Sequence, residues 1–194
     1  MEAEQNPNTT TDQTQTRPPP PTITLRPFNF SDSDIDALIS LAADDRINRF
    51  LRRGPFSDRD DVVRFLHTHV VPHPWYRAIC LSGGRPVGSI ALRPEDSGDG
   101  RTRTVSLGYR VAVEYWGRGI ATEAVRMAAA AAFEEWVDLD RVEAIADVEN
   151  PASQRVLEKA GFVREAVLRR YLVLKGEVRD MVMYSFVSSD CVAR

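Results

Sequence analysis

Apolar positions recur along this chain in two rhythms, and each change of rhythm marks a new element. From Thr22 to Leu25 polar and apolar residues alternate, the period of a half-buried strand. Ser31, Asp32 or Ser33 then offers a cap to a helix carrying Ile35, Leu38, Ile39 and Leu41 on one face. A further helical piece is predicted through Ile47, Phe50 and Leu51, and another after Ser57 with Val62, Val63, Phe65 and Leu66. Tyr76 to Leu81 and Pro86 to Leu92 flank Ser82-Gly83-Gly84 and read as a hairpin. After a polar loop from Pro94 to Gly100, Thr102 to Val113 is β-branched and apolar enough for a long central strand. Between Arg118 and Trp136 the period returns to helical, with Ile120, Ala121, Ala124, Val125, Ala128, Ala132 and Trp136 in step and alanines that permit close approach to a sheet. Val142 to Val148 is another strand, and Asn150-Pro151 opens a helix that Gly161 ends. Phe162 to Leu174 and Val178 to Val187 flank Lys175-Gly176 as an antiparallel pair, so the pattern predicts an α/β fold on a mixed sheet.

Composition narrows this to one domain. The 194 residues are 43% hydrophobic and 27% charged, enough for a conventional core but not for two. Residues 1–21 are rich in Asn, Thr, Gln and Pro, ending at Pro18 to Pro21, and lack the apolar surface to offset ordering entropy. The expected organisation is a disordered tail over 1–21, either spacer or polyproline ligand, a domain over 22–188 and a short C-terminal tail over 189–194. A net charge of −3 gives no field for nucleic acid bound through its phosphates. The longest apolar run, Ala121 to Phe133, is broken by Glu123 and Arg126, so no membrane span is expected. The N-terminus resembles no secretory or transit peptide, which leaves cytosol or nucleus. Cys80 and Cys191 build neither a disulfide framework nor a metal knuckle. His67, His69 and His73 do not converge on a helix, and no metal is expected.

The informative junction is where the central strand runs into Tyr115-Trp116-Gly117-Arg118-Gly119-Ile120-Ala121-Thr122. The first N–H groups of a helix have no internal partner and, with the helix dipole, suit an anionic phosphate. Gly117 and Gly119 would let such a ligand approach, Ala121 keeps the first turn small and Arg118 adds a cation. A tight turn serving close packing would use the same glycines. Neither the triphosphate loop nor the dinucleotide fingerprint is present.

Trp116-Gly117-Arg118-Gly119-Ile120-Ala121 resembles the acyl-CoA loop [QR]-x-x-G-x-[GA] of the GNAT superfamily, with Trp116 where Gln or Arg is usual. Leu25-Arg26-Pro27, Gly108-Tyr109, Ala121-Thr122-Glu123-Ala124, Asn150 with Ser153, and Glu158-Lys159-Ala160-Gly161-Phe162 extend the likeness, from about Thr22 to Val187, to the RimJ/RimL-like branch. The resemblance implies a twisted, mostly antiparallel sheet of about seven strands flanked by helices, with a V-shaped split between the fourth and fifth. In that layout the backbone of Val111, Ala112 and Val113 pairs with the pantetheine arm of acetyl-CoA, the co-substrate, and one N–H polarises the thioester.

The implied reaction is N-acetyl transfer by direct attack of a primary amine, on a protein N-terminus, a lysine or a small molecule, by a monomer or weak homodimer. Many relatives donate the final proton from a Tyr seven residues after the Asn, but Leu157 stands there. The branch offers Ser153 as the acid candidate, although a Ser at the third helical position also bonds locally. Asn150 reads both as a cap and as a cofactor contact. Related sequences carry a Glu where this chain has Ser106, so the base is unassigned, with a water chain to Asp147 or Asp180 permissible. Tyr109, Tyr171 and Tyr184 read as strand residues able to line an acceptor slot, and Arg155 and Lys159 as a solvated helix face. Ser106 and Leu157 also motivate an alternative, an acyl-CoA-binding regulatory module with little catalysis.

Overall fold

The structure is a computed structural model, and it describes residues 21–191 apart from 97 and 99. The expected N-terminal tail therefore lies, Pro21 excepted, outside the described residues. Among these, no helix is long and apolar enough to cross a membrane.

Seven strands form one sheet, β1 (Ile23–Pro27), β2 (Trp75–Leu81), β3 (Pro86–Pro94), β4 (Thr104–Val111), β5 (Arg141–Asp147), β6 (Val163–Leu174) and β7 (Glu177–Val187), in the order β1-β2-β3-β4-β5-β7-β6. Every pairing is antiparallel except β4 with β5. That exception sets where the sheet opens. The parallel register covers only Thr104, Val105 and Ser106 against Arg141, Val142 and Glu143, after which the two strands part. The expected V is this parting.

Helices α1 (Asp32–Ala43), α2 (Asp45–Asn48) and α3 (Arg59–Phe65) precede β2, and a single π turn (Leu66–Val70) continues α3. Their placement begins with Asp34, which is fully buried at the start of α1. Arg26 from β1 grips both its oxygens, at 2.6 and 2.8 Å, and donates a third bond to the Gly84 carbonyl. A paired, hydrogen-bonded buried carboxylate of this kind fixes geometry more than it adds stability. It ties α1 to the β2–β3 turn.

Helices α4 (Ile120–Glu135) and α5 (Pro151–Ala160) cover the other face. In β4 the alternation is plain: Val105, Leu107 and Val111 join the main core with Ile120, Ala124, Val125 and Ala128 of α4 and Leu157 of α5. The end of α1 and α2 close over the far end of β4, where Leu41, Ile47 and Ala112 pack together. Gly88 of β3 lies opposite Val111, and a Cβ there would meet the Arg110 carbonyl at 2.4 Å, so only glycine allows this approach.

Boundaries differ from the sequence reading in two places that matter. The central strand ends at Val111 rather than Val113, because Val113–Tyr115 turns into a 3-10 helix. The long helix starts at Ile120 rather than Arg118, because Gly119 adopts a left-handed conformation, φ 84°, that no helix continues through.

The candidate active site

The parted strands open a cavity of about 1520 Å³, larger than the roughly 300–1,000 Å³ that holds one drug-sized ligand. It has room for two substrates. Its walls contain each of the sequence-predicted residues Val111, Trp116 to Thr122, Asn150 and Ser153, but not Ala112 or Val113.

The strand edge comes first. Ala112 donates its N–H to the Val87 carbonyl at 2.8 Å, so by alternation the polar groups of Leu107, Tyr109 and Val111 point away from β3, into the V. Ala112 also accepts from Tyr115 N–H at 2.9 Å. With both of its groups committed, Ala112 leaves the expected pantetheine ladder. Val111 C=O is taken by the indole N–H of Trp116 at 2.7 Å, and Val113 C=O by Trp116 N–H at 3.0 Å. Of these three residues, Val111 and Val113 keep an N–H without a partner among the described residues, and only Val111 lines the cavity. Trp116, half exposed, is thus the anchor that folds the glycine loop back onto the strand.

The loop itself turns through Gly117 at φ 75° and Gly119 at φ 84°. Gly119 caps α4 without any side-chain bond, and among the described residues nothing accepts the N–H of Ile120, Ala121 or Thr122. Three orphan donors thus face the cavity at the positive end of a 16-residue helix. Arg118 leans over the Tyr115 ring at 5.4 Å, while Arg126, Arg155 and Lys159 stand at the rim. Arg155 and Lys159 are solvated, as their helix face suggests, and also line the cavity.

On α5, Asn150 caps the helix by accepting Ser153 N–H at 3.1 Å through Oδ1, which leaves its Nδ2 without a partner among the described residues. Ser153 Oγ lies 2.8 Å from the phenol of Tyr109, which reaches it from β4. Tyr109 also approaches the Ser153 carbonyl at 3.2 Å. Burial pushes the Tyr109 pKa up to about 12, against the lowering effect of the Ser153 bond, so the phenol keeps its proton at any physiological pH. Leu157, one turn further on, is fully buried core.

Of the carboxylates weighed from sequence, Asp180 accepts the N–H of Arg170 at 2.7 Å and supports the β6 irregularity; it does not line the cavity. Asp147 does. It is 3% exposed, its Oδ1 accepts Glu149 N–H, and its buried Oδ2 has no hydrogen bond, with Arg179 Nε 3.9 Å away. Ser106 bonds only weakly to the Arg93 carbonyl.

Other residues take structural places. His67 and His69 lie against Phe30 and Phe65, and His73 accepts Trp75 N–H. Tyr184 is core, Tyr171 is half exposed, and the buried Cys80 thiol is pushed up by desolvation.

Residues 22–163 match the family described as an acetyltransferase (GNAT) domain. Over 162 residues the chain is 25% identical to the N-acetyltransferase YoaA of Bacillus subtilis, covering 81% of this chain and 89% of that protein. Over 110 residues it is 36% identical to YdaF of the same organism, named a ribosomal N-acetyltransferase, covering 57% of this chain and 58% of that one. RimJ of Mycobacterium smegmatis, solved with CoA-disulfide, is 26% identical with a TM-score of 0.70, over 88% of this chain and 84% of that one. A spermidine N-acetyltransferase of Vibrio cholerae, solved with CoA and spermine, has a TM-score of 0.71 at 20% identity, over 88% and 98%.

Proposed function

The chain belongs to the GNAT acetyltransferase family, and from that premise we propose that it moves an acetyl group from acetyl-CoA to a primary amine by direct attack, with both substrates held between β4 and β5. The observation that carries this is the uncapped start of α4, where three N–H groups without acceptors open beside an unpaired strand edge. A diphosphate needs the first and an extended amide-bearing arm needs the second.

Ile120, Ala121 and Thr122 hold the diphosphate through their N–H groups, and the rim cations Arg118, Arg126 and Lys159 screen its charge. Val111 offers its N–H group to the arm, and Asn150 offers Nδ2 from the opposite wall. When bound, acetyl-CoA supplies a thioester whose carbonyl is electrophilic and whose thiolate can depart.

Ser153 delivers the proton that the departing sulfur needs, and Tyr109 replaces it. The single phenolic proton passes to Ser153 Oγ over the 2.8 Å bond as the Ser153 proton leaves, and the transient phenolate regains a proton from the water to which Asp147 surrenders its own. Tyr109 thereby brings from β4 the phenol that Leu157 lacks on α5. Asp147 Oδ2, buried, unbonded and on the cavity wall, takes the proton shed by the amine as it becomes an amide. No covalent enzyme intermediate is required, and the buried Cys80 stays outside the reaction.

The test is an acceptor screen with labelled acetyl-CoA, reading CoA release and acetylated product together. Amine-dependent release supports the enzyme. Tight acetyl-CoA binding without release across peptides, amino acids and polyamines would leave the regulatory module instead.

A further inference from the structure

Tyr109 and Arg110 are neighbours on β4 and point to opposite faces of the sheet. Tyr109 meets the α5 side, so Arg110 lies on the side of α1 to α3, its Cα about 3.8 Å from that of Tyr109. Arg110 Nε donates to Ser89 Oγ at 3.0 Å, and Tyr76 O–H donates to the same oxygen at 3.2 Å. Ser89 is 3% exposed, so this end of the guanidinium is fixed in the wall. The other end is not satisfied: Nη2 is buried and has no hydrogen-bond partner among the described residues. No carboxylate forms an ion pair with Arg110 among the described residues.

A guanidinium held by one nitrogen, desolvated at another and lining a cavity is a fork awaiting an anion. The cavity lining also holds Arg52 and Arg53, the latter paired with Asp61 at 2.9 Å, and its carboxylate Glu149 is already bonded to Arg49 and Arg179. We infer that Arg110 selects the acceptor: the amine to be acetylated belongs to a molecule that carries a carboxylate close to the reacting nitrogen, and Arg110 Nη2 binds that carboxylate. This rests on the acetyl-transfer reading above and adds the chemical class of its acceptor. Two sources share that chemistry, a free amino acid and a peptide whose first residues are acidic.

The experiment compares kcat/KM for matched acceptors with the full-length protein: an amino acid against its amide, a peptide beginning with Asp or Glu against the Asn or Gln isostere, and spermidine. A preference for the acid over its amide on the order of ten- to a hundred-fold is expected, since a site built around a charged hydrogen bond rejects the analogue without one. Which pair shows it identifies the source. In Arg110→Gln the acid-to-amide ratio should collapse toward one, and in Arg110→Lys it should fall part of the way, with acetyl-CoA affinity as the folding control. The wild-type ratio stands by itself if either variant fails to fold. Equal use of acid and amide, or preferred use of spermidine, overturns the selection while leaving acetyl transfer intact. No turnover with any acceptor overturns both.

Discussion

Tyr109 and Ser153, 44 residues apart in sequence, bring their hydroxyl groups to 2.8 Å across the space between β4 and α5. If the pair passes a proton as one unit, Tyr109→Phe and Ser153→Ala should each lower kcat on the order of ten- to a hundred-fold. The double variant should be little worse than either alone, because coupled members of a relay are not additive. Calorimetry should find acetyl-CoA affinity within about two-fold of wild type in all three. Additive losses, or losses confined to KM, would remove the pair from the proton path.

Gly119→Asp is expected to weaken acetyl-CoA binding on the order of a hundred-fold or more, since it sets a carboxylate before the three open N–H groups of α4. Asp is among the residues that tolerate the left-handed backbone required there, so the thermal midpoint should move little. Unchanged affinity in a titration would show that the diphosphate rests elsewhere.

Gly88→Ala should destabilise the fold by about 1–3 kcal/mol, as overpacking does, because its new methyl meets backbone rather than a movable side chain. Denaturant midpoints check this. A neutral result would mean that β3 and β4 separate easily at Val111, against the tight register found there.

Glu165 makes a pH prediction with a definite sign. Arg141 first, and then Ser185, hold its carboxyl at about 2, below the ordinary 4.5. A depressed carboxylate adds stability above its unfolded pKa, and that contribution fades as the pH falls from about 4.5 to about 2. The pair is partly exposed, so the effect is small at pH 7. Melting curves of Glu165→Gln should start slightly below wild type and converge with it in that acidic window; a gap that stays constant would assign the loss to packing.

Much of the architecture was legible because it rests on local rules. Asn150-Pro151 and Gly161 bound α5 as capping chemistry requires, and the pair Gly117 and Gly119 marks the loop from sequence alone. What escaped was non-local. Nothing in the sequence near Ala112 says that its N–H will be claimed by Val87, a residue from another strand, so sequence alone overstates the open edge. Tyr109 stood out as a strand aromatic, yet its meeting with Ser153 depends on how α5 docks beside β4. Nothing in the sequence singles out Arg110, because an arginine on a strand is ordinary until its unsatisfied nitrogen is found buried. A strand-borne Arg two residues after a Gly, on the face that the Gly leaves open, is the signal that would have found it.

The V has a mechanical side as well. Two half-sheets are sewn together by three rungs at one end and by the half-exposed Arg49–Glu149 clasp near the other, a contact weak enough to open and reclose. An extended guest lying along Val111 would add the missing rungs, so the halves should stiffen against each other when it arrives and loosen when it departs. Turnover would then alternate with rigidity.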